Sequence, residues 1–340
     1  MSVNKLLNLF LFFIFFSAPA IADNSDQWMH QCIDLAINTR FGEAEKLVKN
    51  RIANGDSGIV EFFMLSSMLN SKMTHFENQL NHTEFINAIN KAISKADYNL
   101  VNPEHNGGMS RARLLFYRGS AYGYLGLYQG QTNSWFDALD NGMQSVSDLK
   151  EAVVLDSTIY EAHLGIGVYQ YWRSTKLKFL YWMPFIEDQR MEGIRNIKKA
   201  VQYDNPSRYM AMHQLIYILL NFGLKDEAVP YAEEVINVYP NSTFMWWAYA
   251  HTWYMRHEYP KAVDAYKHLL SLLHSLSGQN SMHILACHAK LAEIYFKLGQ
   301  PLASRDEAEL AIRLAQGQTL SKEGRKSVEK AIRILDDLKD

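Results

Sequence analysis

Apolar and aromatic residues recur along most of the chain at the three- and four-residue spacing of one helix face, with short polar stretches between the runs. The clearest runs place Trp246, Ala250 and Trp253 before a polar turn, and Ala262 and Tyr266 after it. Gly and Pro are scarce, with 18 and 8 residues among 340, whereas all-β folds need many turn residues. We therefore predict an all-α chain.

The same pattern returns with a period near 34 residues. One period upstream, Leu219, Gly223 and Ala228 occupy the corresponding positions, and Tyr295 and Gly299 do so downstream, after an eight-residue insertion. Small residues recur where the two helices of a pair would touch, namely Gly119, Gly165, Ala228, Ala250 and Ala262. Because one helix pair cannot bury its own apolar face, a repeat of this length predicts pairs that stack on one another.

This combination of small and aromatic positions resembles the tetratricopeptide repeat (TPR). Motifs between about 110 and 316 are also similar to those of a group of exported bacterial TPR proteins: Phe116-Tyr117-Arg118-Gly119, Trp135, Leu164-Gly165, Tyr171-Trp172-Arg173-Ser174, Trp182 and Pro184-Phe185. The resemblance implies an α-solenoid, a superhelix of stacked antiparallel helix pairs, in an exported protein. It implies no enzymatic mechanism.

The repeat pattern varies in strength along the chain and divides it into segments. We expect divergent N-terminal helical repeats over 23–110 and TPR-like repeats over 111–316. Two insertions, 127–134 and 173–189, interrupt these repeats. The last segment, 317–340, has apolar residues at helical spacing and a charged opposite side, which predicts a C-terminal capping helix.

The first 22 residues have the features of a signal peptide. Lys5 precedes an apolar run, 6–16, and Ala20-Ile21-Ala22 forms a cleavage motif before Asp23. The run is shorter than the roughly 20 residues of a transmembrane helix. We expect cleavage after Ala22 and a soluble periplasmic chain, associated or not with the cell envelope; an uncleaved anchor is the alternative.

Charge and cysteine content exclude several protein classes. The chain has 34 basic and 36 acidic residues, so it lacks the positive excess that neutralises nucleic-acid phosphates. Cys32 and Cys287 lie far apart in the repeat array, so we expect two buried thiols, although an exported chain permits a disulfide bond. The sequence contains no Cys-x-x-Cys motif, so it lacks this sign of redox activity.

No catalytic or metal-binding constellation emerges from the sequence. The histidine pairs, such as His283 and His288, have spacings that place them on different helix faces. Gly119-Ser120-Ala121-Tyr122-Gly123 lacks the strand-to-helix turn that a nucleophilic serine needs. We therefore predict no enzyme, no cofactor and no metal site.

In TPR arrays the first helix of each pair lines the concave face, and in this chain that face is rich in aromatic residues and histidine. The candidates for ligand contact are Phe116, Tyr124, Tyr169, His213, Tyr217, Trp247, His251 and Tyr254; the last unit adds Glu293 and Phe296. Aromatic rings with polar tips suit an apolar or extended peptide. The alternative is that these residues form a packed core, because the superhelix closes or the 173–189 insertion fills it.

The 173–189 insertion contains aromatic and basic residues. We expect another surface to cover it, because a solvent-exposed apolar segment is an aggregation risk. Its candidate docking or plug residues, with the preceding tryptophan, are Trp172, Arg173, Trp182, Phe185 and Asp188. The groove itself, a partner and a membrane surface are possible covers. We expect the groove, with Trp182 and Phe185 packed against His213, Tyr217 or Tyr169, and Asp188 paired with Arg190 or Arg173.

These observations favour a non-enzymatic scaffold or adaptor that binds a protein or peptide through its concave aromatic groove. The alternative is a component of a cell-envelope transport system that holds a small apolar ligand in a closed pocket. Peripheral membrane contact through the basic and aromatic insertion is a third alternative and is less favoured than the other two.

Overall fold

The structure is a computed structural model that describes residues 27–132, 134–182, 187–276 and 281–339. Over these ranges the chain is helical and contains no strand, as the sequence predicts. The helices are α1 Gln27–Ile37, α2 Phe41–Ala53, α3 Ile59–His75, α4 His82–Val101, α5 Arg111–Gln131, α6 Trp135–Leu155, α7 Ala162–Lys176, α8 Arg190–Gln202, α9 Arg208–Phe222, α10 Lys225–Val238, α11 Thr243–Met255, α12 Tyr259–Ser275, α13 Ser281–Lys297, α14 Pro301–Ala315 and α15 Lys322–Asp337. Single 3₁₀ turns, Pro103–His105 and Lys178–Leu180, lie between helices.

The chain forms two compact units, and their boundary falls within α9. The first unit extends to Ile218, and α3–α4, α5–α6 and α7–α8 form its packed pairs. The second unit begins at Leu219 and includes two short pieces, Ile37–Thr39 and Phe76–Asn78. Its pairs are α11–α12 and α13–α14, and α15 packs against both α13 and α14. The helix at the C-terminus thus covers the last pair.

Helix pairs approach most closely where small residues meet. A Cβ added to Gly119 of α5 would lie 2.9 Å from the backbone oxygen of Ser145 in α6. A Cβ on Gly167 of α7 would lie 2.5 Å from the oxygen of Gly193 in α8, and the reverse distance is 2.6 Å. Both helices of the α7–α8 pair therefore need glycine at this contact, and sequence reasoning did not single out Gly193.

The turns that follow α9, α11 and α13 share one backbone conformation. Gly223, His257 and Gly299 each have a positive φ, of 104°, 64° and 68°. The first two lie one repeat period apart, and Gly299 follows after one period plus the eight-residue insertion. A left-handed residue is a common way to end a helix, and glycine adopts it without the steric cost that a Cβ brings.

The non-helical segments at the two predicted insertions are shorter than the insertions themselves. Helix α5 continues to Gln131, so most of the predicted 127–134 insertion is helical. Helix α7 likewise continues to Lys176 before the 3₁₀ turn, and α8 begins at Arg190. Intrahelical hydrogen bonds satisfy the backbone as far as the helix extends, which favours continuation despite the polar composition.

Both cysteine thiols are free and buried. Burial raises the pKa of Cys32 to about 12, although the charge of Arg51 lowers it slightly. Burial also raises the pKa of Cys287 well above its ordinary value. The two side chains are therefore protonated and act as small apolar packing groups.

Candidate functional site

Five of the eight side chains predicted to line a ligand-binding face are buried: Phe116, Tyr124, His213, Tyr217 and His251. Their neighbours are other rings. Tyr124 meets Phe63 edge-on at 5.8 Å between centroids, and His213 meets Tyr217 at 4.9 Å. Burial lowers the pKa of His213 to about 3, so this imidazole is neutral at physiological pH. These five side chains follow the alternative that the sequence left open, a packed core, because tight stacking of the pairs encloses their positions.

The other three candidates, Tyr169, Trp247 and Tyr254, are partly exposed. Tyr169 lies in the first unit, where its ring rests on Gly142 of α6. Trp247 and Tyr254 lie on α11 of the second unit, and Trp247 meets Tyr266 edge-on at 5.6 Å. The second unit therefore keeps aromatic rings at a surface where a partner can reach them.

Charged side chains from the following helices extend this surface. We define the C-terminal face as Trp247 and Tyr254 of α11, Lys290, Glu293 and Phe296 of α13, and Lys330 of α15. Three helices of the second unit thus supply it. The sequence placed Glu293 and Phe296 at face positions of the last repeat, and the structure brings Glu293 next to Tyr254.

Glu293 is the centre of the polar contacts on this face. The Tyr254 hydroxyl donates to Glu293 Oε1 at 2.6 Å, and Lys290 Nζ donates to Oε2 at 2.9 Å. Lys330 forms a further ion pair with the same carboxylate. Lys290 Nζ also lies 4.0 Å from the centroid of the Tyr254 ring, a cation–π distance.

The electrostatics of the cluster keep Glu293 ionised. Burial raises the pKa of Glu293, but the charges of Lys290 and Lys330 and hydrogen bonds from Lys330 and Tyr254 outweigh it and hold the pKa at about 2. Burial raises the pKa of Tyr254 far above its ordinary value, and Glu293 adds to the shift. Burial lowers the pKa of His251 to about 3, and Lys290 lowers it further. At neutral pH two ammonium groups therefore face one carboxylate.

Sequence reasoning missed both lysines of this face. Lys290 stands next to a predicted face position rather than on one, and Lys330 lies on the terminal helix, outside the repeat period. The only sequence signal for Lys330 is the prediction that a capping helix covers the last pair. A charged side chain on that helix can reach the face of the repeat it covers.

The predicted plug does not form at Trp182, whose side chain is 79% exposed rather than packed against His213, Tyr217 or Tyr169. Phe185 lies outside the described residues. Asp188 pairs with Arg190, one of its two expected partners, through Oδ1 and Nε at 2.8 Å. The remaining two candidates of the insertion, Trp172 and Arg173, are partly buried on α7.

The chemistry of the C-terminal face is that of recognition. Partly exposed rings can contact apolar groups, and ammonium groups beside them can contact an acidic group. Across the parts of the chain that the structure describes, no group of three or more His, Cys, Asp or Glu side chains could hold a metal ion.

Comparison with solved structures supports the helical-repeat architecture. The structure of the APC/C hetero-tetramer Cut9-Hcn1 matches with a TM-score of 0.56 and 12% identity, over 94% of this chain and 54% of that chain. The C-terminal part of a TPR repeat-containing protein from Cytophaga hutchinsonii has a TM-score of 0.44 and 12% identity, over 88% and 99% of the two chains. A tetratricopeptide repeat protein from Parabacteroides merdae has a TM-score of 0.44 and 11% identity, over 90% and 98%. No protein-family model and no curated sequence matches.

Proposed function

We propose that this tetratricopeptide-repeat protein is a non-enzymatic scaffold or adaptor that binds another protein, or a peptide segment of one, through its C-terminal face. The observation that carries this proposal is the arrangement around Glu293, where partly exposed rings and two lysines lie together. Stacked repeats create extended surfaces of this kind, which repeat proteins use for binding.

The aromatic part of the face supplies contact area. Trp247 and Tyr254 are partly exposed, and Phe296 is 40% exposed at the end of α13. Tryptophan and tyrosine are enriched among the residues that dominate binding energy at protein interfaces. A partner's apolar side chains would cover these rings and remove them from water.

The charged part of the face supplies selectivity. Lys290 and Lys330 both pair with the carboxylate of Glu293, beside the partly exposed rings. An acidic side chain of the partner would lie within reach of both ammonium groups, and a basic one would be repelled. We therefore expect an extended segment that combines apolar and acidic residues.

We also propose that the chain acts in the periplasm. The support is the sequence of residues 1–22, with its short apolar run and Ala20-Ile21-Ala22 motif; these residues lie outside the described part of the chain. In that part no helix combines the length and apolarity of a membrane span. Mass-spectrometric mapping of the N-terminus should find Asp23 first, and an intact Met1 in the envelope fraction would indicate an anchor.

Affinity capture after crosslinking in cells tests the binding proposal. Tagged wild-type chain is compared with Phe296→Ala, which alters the face, and with Leu302→Ala, which alters an exposed position on α14. We expect at least one protein that is enriched with wild type and the Leu302 variant but is reduced about tenfold or more with the Phe296 variant. Equal enrichment with all three chains would contradict binding through this face.

A further inference from the structure

The most exposed aromatic rings among the described residues lie in the first unit, whereas the C-terminal face belongs to the second. Phe136 is 90% exposed, Trp182 79% and Phe179 72%. The first turns of α6 add three further exposed apolar side chains, namely Trp135, Leu139 and Met143. We call these six side chains the exposed aromatic patch. Soluble proteins rarely leave such a cluster in water unless it contacts another surface.

The two segments of the patch are held next to each other by the packing of α6 against α7. Lys176, at the end of α7, places its ammonium 5.2 Å from the centroid of the Trp135 ring at the start of α6. Beyond Lys176, the Tyr181 hydroxyl donates to the backbone oxygen of Ser174 at 2.7 Å, which ties the following turn back to α7. The rings of both segments therefore belong to one region of the unit.

The charge of this region indicates what covers it. Arg173, Lys176 and Lys178 precede the rings, and no acidic residue occurs between 173 and 182. Asp137 and Asp140 lie on the α6 side, so the basic surplus is concentrated at the α7 end of the patch. Phosphate head groups attract such a basic cluster, and aromatic rings beside it enter the interfacial zone of a bilayer. Rings that are this exposed need no shaped cavity in a lipid surface, whereas a protein partner must provide a cavity for each ring.

We propose that the exposed aromatic patch docks the protein on the surface of an anionic lipid bilayer. Phe136, Phe179 and Trp182 enter the interfacial region, and Lys176 and Lys178 lie at the lipid phosphates. The contact is peripheral, and the C-terminal face lies in the other unit. Lipid docking and partner binding are therefore separate properties, and either can fail without the other.

Local fluorescence labels test this docking in the full chain. The environment-sensitive dye NBD is attached at Phe136→Cys, at Trp182→Cys or, as a control, at Leu302→Cys, which is 75% exposed on α14. Both native cysteines are buried, so the dye reacts with the introduced one. Circular dichroism verifies that each labelled chain remains helical. Attachment of the chain through residues 1–22 would not move these dyes into lipid.

Vesicles of phosphatidylcholine with one quarter phosphatidylglycerol should shift NBD emission to the blue at positions 136 and 182 and leave position 302 unchanged. Binding should be at least about fivefold weaker to pure phosphatidylcholine, because each lysine near an anionic surface contributes to attraction. Adding Lys178→Gln to the Phe136→Cys chain should reduce this preference. No shift at 136 and 182, an equal shift at 302, or an equal affinity for both vesicle types would overturn the proposal.

Discussion

At the residue scale, His257 stands in a turn position that glycine occupies in the neighbouring repeats. Its φ of 64° is sterically costly for a residue with a Cβ, and the imidazole compensates through a 2.9 Å contact between Nδ1 and the Tyr259 hydroxyl. The repeat period alone predicts the position of this turn. It does not predict which residue accepts the strain, because a side-chain contact decides that.

We predict that His257→Gly stabilises the protein by roughly 0.5–1 kcal/mol. The gain is the relief of the left-handed strain, reduced by the larger backbone entropy of glycine in the unfolded chain and by loss of the Tyr259 contact. Urea unfolding measures it. His257→Ala is the matched control, because it removes the imidazole but keeps the Cβ, and it should give no gain. If both variants change the stability equally, backbone strain is not the cause.

Glu293 makes stability depend on pH. Its pKa is about 2 in the folded chain and has an ordinary value of 4.5. A carboxylate with a lowered folded pKa stabilises the fold fully above its unfolded pKa, and this contribution is lost as the pH falls from about 4.5 to about 2. Glu293→Gln should therefore reduce the free energy of unfolding at pH 7 by roughly 3 kcal/mol, and the difference from wild type should largely disappear near pH 2.

Urea unfolding of both chains across this pH range provides the measurement. The control is Glu309→Gln, because Glu309 is an exposed carboxylate whose ion pair with Arg313 is long, at 3.7 Å. Its removal should change stability by less than about 1 kcal/mol at any pH. A pH-independent difference between wild type and the Glu293 variant would show that its carboxylate is not the stabilising group.

At the element scale, the sequence predicts helix pairs and their order, because the apolar period and the small residues repeat in register. It does not predict which aromatic positions stay exposed. Phe116 has the register position of Trp247, and Tyr217 has that of Glu293, yet both rings are buried. Whether a ring is buried depends on how closely the neighbouring helix pair packs against it. That packing involves side chains of several helices, as in the contact of Phe63 with Tyr124.

The α7–α8 pair offers a direct test of close packing. Gly193→Ala would place a Cβ 2.6 Å from the Gly167 backbone oxygen, so the helices must separate, at a cost of roughly 1–3 kcal/mol or more. The control is Gly130→Ala in α5, where the nearest atom would be the Ala138 Cβ at 3.9 Å. That change should be neutral or stabilising by up to about 1 kcal/mol.

In thermal or urea unfolding, Gly193→Ala should therefore lower the stability, whereas Gly130→Ala should leave it unchanged or raise it. Helix propensity favours alanine at both sites by a similar amount, so the contact between helices accounts for the difference. An unaltered stability of the Gly193 variant would mean that α7 and α8 do not approach each other this closely.

At the scale of the whole molecule, repetition gives the chain its architecture and local exceptions give it candidate function. The repeats explain why consecutive helices pair and why a final helix, α15, covers the last pair. The C-terminal face arises where that covering helix adds Lys330 to the residues of α11 and α13. Because this helix breaks the period, the repeat pattern predicts the rings and Glu293 of the face but not Lys330.

Site-specific photo-crosslinking tests the central claim, binding through the C-terminal face, most directly. A photoreactive amino acid replaces Phe296 in one chain and Leu302 in another, and the cells that produce each chain are irradiated. We predict a discrete adduct of higher mass at position 296, absent at 302, and lost when Lys290 and Lys330 are both changed to glutamine in a chain that remains helical. Adducts at 302 but not at 296, or equal adducts at both positions, would contradict the account.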